Sequence, residues 1–158
     1  MRGTILRGLT MRTGIPFLAA FAALVVAAPA AAQQPELPAV EISAGVHLIR
    51  AEFANTYGTR MQGLMFRKSL ARNSGMLFDF EQSDIHCMWM KNTLIPLSVA
   101  FIDDKGEIVN IADMKPQTEQ THCASRPVRF ALEMSKGWFA ERGIRPGQKL
   151  RGLEKLAR

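Results

Sequence analysis

The chain has 158 residues, 47% of them hydrophobic, with a formal net charge of +6. Its length holds one domain large enough to bury a real core, and no internal repeat or low-complexity segment divides it. Three of the basic residues (Arg2, Arg7, Arg12) fall in an N-terminal segment that has no acidic residue, so residues 33–158 carry only +3. With no basic stripe interleaved with aromatics, a nucleic-acid partner is not expected.

Residues 1–32 read as a secretory signal peptide. The three arginines form a basic n-region, residues 15–28 are apolar, and Ala30-Ala31-Ala32 offers a small-residue cleavage site before Gln33. An uncleaved anchor is the alternative, but 14 apolar residues are short for a bilayer span. Cleavage leaves 126 residues that are not an integral membrane protein, and the expected location is periplasmic or secreted. Residues 33–40, with Pro35 and Pro38, read as a linker, and residues 41–158 as a single domain.

Along that domain, His47 to Ala54 alternates and predicts a strand. Asn55-Thr56 offers an N-cap to a short helix over Tyr57 to Met65, whose Tyr57, Met61, Leu64 and Met65 form one apolar stripe. Strands are predicted over Met76 to Phe80, Ile85 to Met90 and Leu97 to Ile102. Asp103-Asp104-Lys105-Gly106 is a hairpin turn, which explains its paired carboxylates better than chemistry does, and Glu107 to Ala112 is the return strand. Pro127 to Met134 is a further strand, Gly137 to Arg142 one helical turn, and Gln148 to Leu153 a last short strand. The fold class is therefore α+β, mostly antiparallel β: a compact small barrel or sandwich with one or two short helices.

Four ordered motifs stand out: Arg60-Met61-Gln62-Gly63-Leu64-Met65-Phe66-Arg67; Gly75-Met76-Leu77-Phe78; Trp89-Met90-Lys91-Asn92-Thr93 with Ile95-Pro96-Leu97; and Leu132-Glu133, Gly137-Trp138 and Gly147. Together they resemble the bacterial domain-of-unknown-function 192 family over roughly Glu52 to Leu150. Ser98 stands where that family's pattern has Asp. The resemblance implies a small, exported or envelope-associated, β-rich domain and no particular reaction.

Several constellations bear on chemistry. Cys87 and Cys123 survive signal cleavage, and an even cysteine count in an exported chain favours a disulfide. With His86 and His122 they are formally a Cys2His2 zinc set, but they lack the close spacing of such sites; a Cys–His nucleophile would need both thiols free. On an extended strand His86, Met88 and Met90 share one face, a ligand set that soft Cu(I) would accept, although methionines also fill irregular core gaps. The Lys91-Asn92-Thr93 turn links two apolar strands. It can contact an anion, carboxylate or sugar hydroxyl, or simply satisfy turn amides through its side chains. Arg60, Arg67 and Glu133 are the other polar motif members, and an Arg–Glu pair can lock a helix onto a sheet. The chain has no P-loop, dinucleotide, zinc-protease or nucleophile-elbow fingerprint.

The expectation is a non-enzymatic envelope domain that needs no cofactor and binds a small polar or anionic ligand, or a protein partner. Its candidate site is Arg67, Trp89, Lys91, Asn92, Thr93 and Glu133. Two alternatives stay open: an enzyme acting on envelope polymers, with Glu133 as its carboxylate and no catalytic set defined, and a periplasmic Cu(I)-binding protein using His86, Met88 and Met90.

Overall fold

The structure, a computed structural model, describes residues 36–156; the predicted signal peptide and residues 33–35 lie outside the described residues. The chain enters through β1 (Ala39–Ala44) and turns at Gly45 into β2 (His47–Ala54), its antiparallel partner. β1 therefore starts inside the predicted linker: the amide of Phe53 binds the Pro38 carbonyl at 2.9 Å, so pairing begins directly after the second proline. Thr56 caps α1 (Tyr57–Gln62), its hydroxyl accepting from the Thr59 amide while Thr59 reaches back to the Thr56 amide.

The helix lets the chain cross over and lay β3 (Ser74–Asp84) parallel to β2, a pairing that a tight hairpin cannot make. It is shorter than the apolar spacing predicts. Tyr57 and Met61 are 75% and 46% exposed, and only Leu64, beyond the helix end, is buried. What holds α1 is Arg60, which donates to the carbonyls of Asn55 (2.9 Å) and Asp79 (2.8 Å) and pairs with Glu81.

β4 (Cys87–Met88) is followed by β5 (Leu97–Ile102), β6 (Ile108–Met114), β7 (His122–Cys123), β8 (Val128–Ser135), α2 (Trp138–Glu141) and β9 (Leu150–Arg151). Seven strands form one curled, half-barrel sheet in the order β6-β5-β8-β3-β2-β1-β9, antiparallel except for β2–β3. The Asp103–Gly106 turn joins β5 to β6. Asp103 accepts from the Lys105 and Glu107 amides, and Gly106 takes the positive φ of 79°.

Every residue of β5 is buried, the mark of a strand covered on both faces. One face packs Ile49, Leu77, Leu132 and Met134 with Trp138 and Phe139 of α2. The other packs Met76, Phe78, Met90, Val99 and Phe101 with Leu64. Gly75, opposite Met134 in the register, lets β3 and β8 approach; a Cβ there would collide with the Glu133 carbonyl oxygen and the Met134 sulfur. Among the described residues no helix is long and apolar enough to cross a membrane.

β4 and β7 form a separate two-stranded ribbon in which Cys87 faces Cys123 and is bonded to it, with Cα atoms 4.0 Å apart. The predicted strand over Ile85 to Met90 shrinks to this ribbon, because Trp89 and Met90 leave it for the loop that leads to β5.

Two expectations follow. Gly75→Ala prevents native folding, seen as loss of the cooperative urea transition; a normal transition would mean that the β3–β8 approach is not tight. Cys87→Ser with Cys123→Ser lowers unfolding free energy by about 3–4 kcal/mol, the chain-entropy value for a loop of this size. Coincident urea midpoints for variant and parent would contradict that.

Candidate functional site

The sheet register sets a row of side chains on the face beneath α1: Glu52 of β2, Met76 of β3, Glu133 of β8 and Val99 of β5. Glu133 therefore sits on the central strand with apolar neighbours on both sides. It is 3% exposed, and its carboxyl makes no hydrogen bond or ion pair with the described residues. Burial pushes its pKa up to about 8, so the acid is mostly neutral at pH 7. The carboxyl borders a cavity of about 20 Å³ that is also lined by Arg60, Leu64, Phe78, Met88, Trp89, Lys91 and Thr93. That space holds about one water.

Lys91 lines this cavity and also a neighbouring, open depression of about 350 Å³. The depression is formed where three loops meet, and its other lining residues are Phe66, Asn92, Leu94, Gln117 and Glu119. The loops are tied by main-chain bonds: the Phe66 amide to the Asn92 carbonyl (2.8 Å), the Gln117 amide to the Thr93 carbonyl (3.0 Å), and the Met90 amide to the Thr118 carbonyl (3.0 Å). Phe66, Asn92 and Gln117 all hold left-handed backbones, with φ of 62°, 56° and 55°. Each such residue costs on the order of 1–2 kcal/mol, less for Asn, and backbone strain of this kind concentrates at ligand sites. Phe66 and Leu94 are 58% and 40% exposed, so the depression has apolar as well as amide walls. The Lys91 ammonium lies 5.3 Å from the Trp89 ring centroid and 3.5 Å from the Glu119 carboxylate. Both partners of that ion pair are exposed, so it holds Lys91 weakly.

The structure thus brings Trp89, Lys91, Thr93 and Glu133 to one cavity and Lys91 and Asn92 to the adjoining depression. Arg67 is not with them: it turns to Glu52 at 2.8 Å, two strands from Glu133, and Glu52 also accepts from the Leu37 amide. The motif arginines and Glu133 do not form a helix-locking pair; Arg60 and Arg67 each use another carboxylate. Ser98 points to the opposite face from Glu133, where its hydroxyl donates to Asp113 (2.6 Å) and accepts from the Gly137 amide (2.9 Å). The departure from Asp at this position leaves the cavity untouched.

The soft-metal set is divided. Met88 and Met90 belong to the apolar core, whereas the His86 ring stacks on Phe80 at 3.9 Å with its Nε2 3.0 Å from the Gln82 carbonyl oxygen. Phe66, Leu94, Gln117 and Glu119 were not apparent as site residues in the sequence. The one signal for Phe66 is its place in the Arg60–Arg67 motif; Gln117 and Glu119 lie in a polar loop with no pattern of their own.

The raised pKa of Glu133 makes stability pH-dependent. The native state holds a proton that the unfolded chain releases near the ordinary 4.5, while the folded carboxyl keeps it until about 8. Stability is therefore full below 4.5 and falls as pH rises through that window. Glu133→Gln should flatten this fall and exceed the parent above pH 8 by a few kcal/mol in order of magnitude. Parallel stability–pH curves in urea titrations would show that Glu133 is not the group responsible.

Solved structures similar to this chain include two from bacteria. One is from Sinorhizobium meliloti 1021, described as a candidate transcription regulator: 33% identity, TM-score 0.72, covering 77% of this chain and 98% of that one. The other is a protein of unknown function from Novosphingobium aromaticivorans DSM 12444: 35% identity, TM-score 0.72, covering 80% of this chain and 94% of that one. No curated protein matches. The family described as "Uncharacterized ACR", DUF192, matches over residues 39–152, which takes in all four motifs and both cavities. The chain belongs to the domain-of-unknown-function 192 family.

Proposed function

We propose that this chain is an exported domain of the bacterial envelope that binds a small polar or anionic ligand in the depression around Lys91 and Asn92. The observation that carries the reading is the meeting of three left-handed, non-glycine backbones with two exposed apolar side chains at one opening. Packing of this domain does not require Phe66 or Leu94 to face solvent, and a plain loop does not require strained backbone at Phe66 and Gln117. A ligand would lie against Phe66 and Leu94, with the Asn92 and Gln117 amides for hydrogen bonding and the Lys91 ammonium for a carboxylate or other anion. Export is supported by the signal-like N-terminus and by the Cys87–Cys123 disulfide, a bond that persists in oxidising compartments.

A second reading, an enzyme acting on envelope polymers, draws on Glu133. A buried, mostly neutral carboxyl beside an opening is what a proton donor requires. The cavity in front of it is small, so substrate would have to displace the Lys91–Trp89 pair to reach it.

The test separates folding from binding. Lys91→Ala removes an exposed charge, and Asn92→Gly deletes the amide while keeping the left-handed backbone that alanine would strain. The double variant should unfold within about 1 kcal/mol of the parent. Binding is read from amide shifts at residues 66, 91–94 and 117 in nuclear magnetic resonance titrations with N-acetylglucosamine and with D-alanyl-D-alanine. The parent should respond to at least one probe and the variant to neither. Silence of the parent at millimolar concentrations of both probes, or equal response of parent and variant, contradicts the reading.

A further inference from the structure

A larger cavity than either the Glu133 cavity or the Lys91 depression lies elsewhere. It is a cleft of about 640 Å³ between the β1–β2 turn, the turn after α2 and strand β9, and it shares no residue with the Lys91 depression. Its floor is apolar, from Ile108, Ile144 and Leu150 of the core on the α2 side of the sheet. Its charged and titratable lining is entirely basic: His47, Arg142, Lys149 and Arg151, with no Asp or Glu.

The four differ in how they are held. Arg142 is fixed: it donates to the Trp138 carbonyl (3.1 Å) and to the Asn73 side-chain oxygen (3.1 Å), and its guanidinium lies 4.4 Å from the Trp138 ring centroid. Its one acidic contact, Glu141 at 3.4 Å, is a 71%-exposed side chain outside the cleft lining. The His47 ring meets Trp138 edge-on at 6.2 Å. Lys149 and Arg151 make no ion pair and no side-chain hydrogen bond among the described residues. A held guanidinium with two unpartnered cations around a concave space favours a multiply charged anion: Arg142 offers its contact already ordered, and Lys149 and Arg151 break no ion pair when they order on the ligand.

We propose that this cleft is a second binding site, for a phosphoryl-bearing polyanion, with Arg142 as the fixed anchor and Lys149 and Arg151 closing on the ligand. The chemistry is shared by a soluble phosphate compound and by the headgroup of an anionic lipid.

The test is calorimetric titration of the purified protein with inorganic pyrophosphate, together with sedimentation with phosphatidylglycerol vesicles against phosphatidylcholine vesicles. Lys149→Ala with Arg151→Ala removes two exposed cations. Lys68→Ala with Arg72→Ala makes the same change in net charge at exposed positions outside the cleft. Saturable pyrophosphate binding, weakened roughly tenfold or more by the cleft variant and unchanged by the control, supports a soluble ligand. Binding confined to phosphatidylglycerol vesicles, with the same dependence on the cleft variant, supports a headgroup. Binding to neither probe, or equal weakening by cleft and control variants, overturns the proposal. Lys91→Ala must leave the cleft titration unchanged, which keeps this outcome separate from that of the Lys91 site.

Discussion

Strand β8 enters the sheet last of the long strands and pairs on one side with β3 and on the other with β5. Without it the β1–β2–β3 portion and the β5–β6 hairpin share no ladder. Its insertion demands that β3 carry no side chain at Gly75, where the β8 backbone comes too close for a Cβ. The Gly-Met-Leu-Phe motif is therefore a steric condition for closing the sheet, and its next three residues place Met76 and Phe78 on one face and Leu77 on the other.

The same insertion carries Glu133 into the buried row between Met76 and Val99. A carboxyl placed there has no ionic partner, so it lowers its cost by keeping its proton. Above it, the loops carrying Phe66, Lys91–Thr93 and Gln117 are bound to one another through main-chain bonds, and the Cys87–Cys123 ribbon tethers the approach to Lys91. Strained residues persist where the surroundings over-determine them, and here both the disulfide and the sheet do so. The second, basic cleft is built on the other face, under the Asn73–Trp138–Arg142 network.

Much of this was legible in the sequence because it is local. Alternation located β2 and the first half of β3; β5 and β8 were expected as strands between turn and loop signals; Thr56 announced the helix start; Asp103–Gly106 announced the hairpin; and the cysteine count favoured the disulfide. Pairing across long separations was not legible. Nothing near Arg50 or Ser74 says that β2 and β3 run parallel, and nothing near Val128 says that β8 inserts between β3 and β5. For the same reason Arg67 could be grouped with Lys91, although Glu52, 15 residues earlier in the chain, takes it. The apolar spacing of Tyr57 and Met61 misled because α1 is held by Arg60 and not by a buried stripe. His86, Met88 and Met90 do share an alternating pattern, but core packing absorbs the two sulfurs.

The claim that sheet closure forces a lone acid into a buried position beside the Lys91 loops is tested most directly at Glu133 itself. Carbon-13 nuclear magnetic resonance of its side-chain carboxyl, followed from pH 3 to 10 in the folded protein, gives the titration midpoint without reference to stability. The account predicts a midpoint near 8. A midpoint close to the ordinary 4.5 would mean that bulk water or a cation solvates the carboxyl, and the burial of Glu133 would not describe the protein in solution.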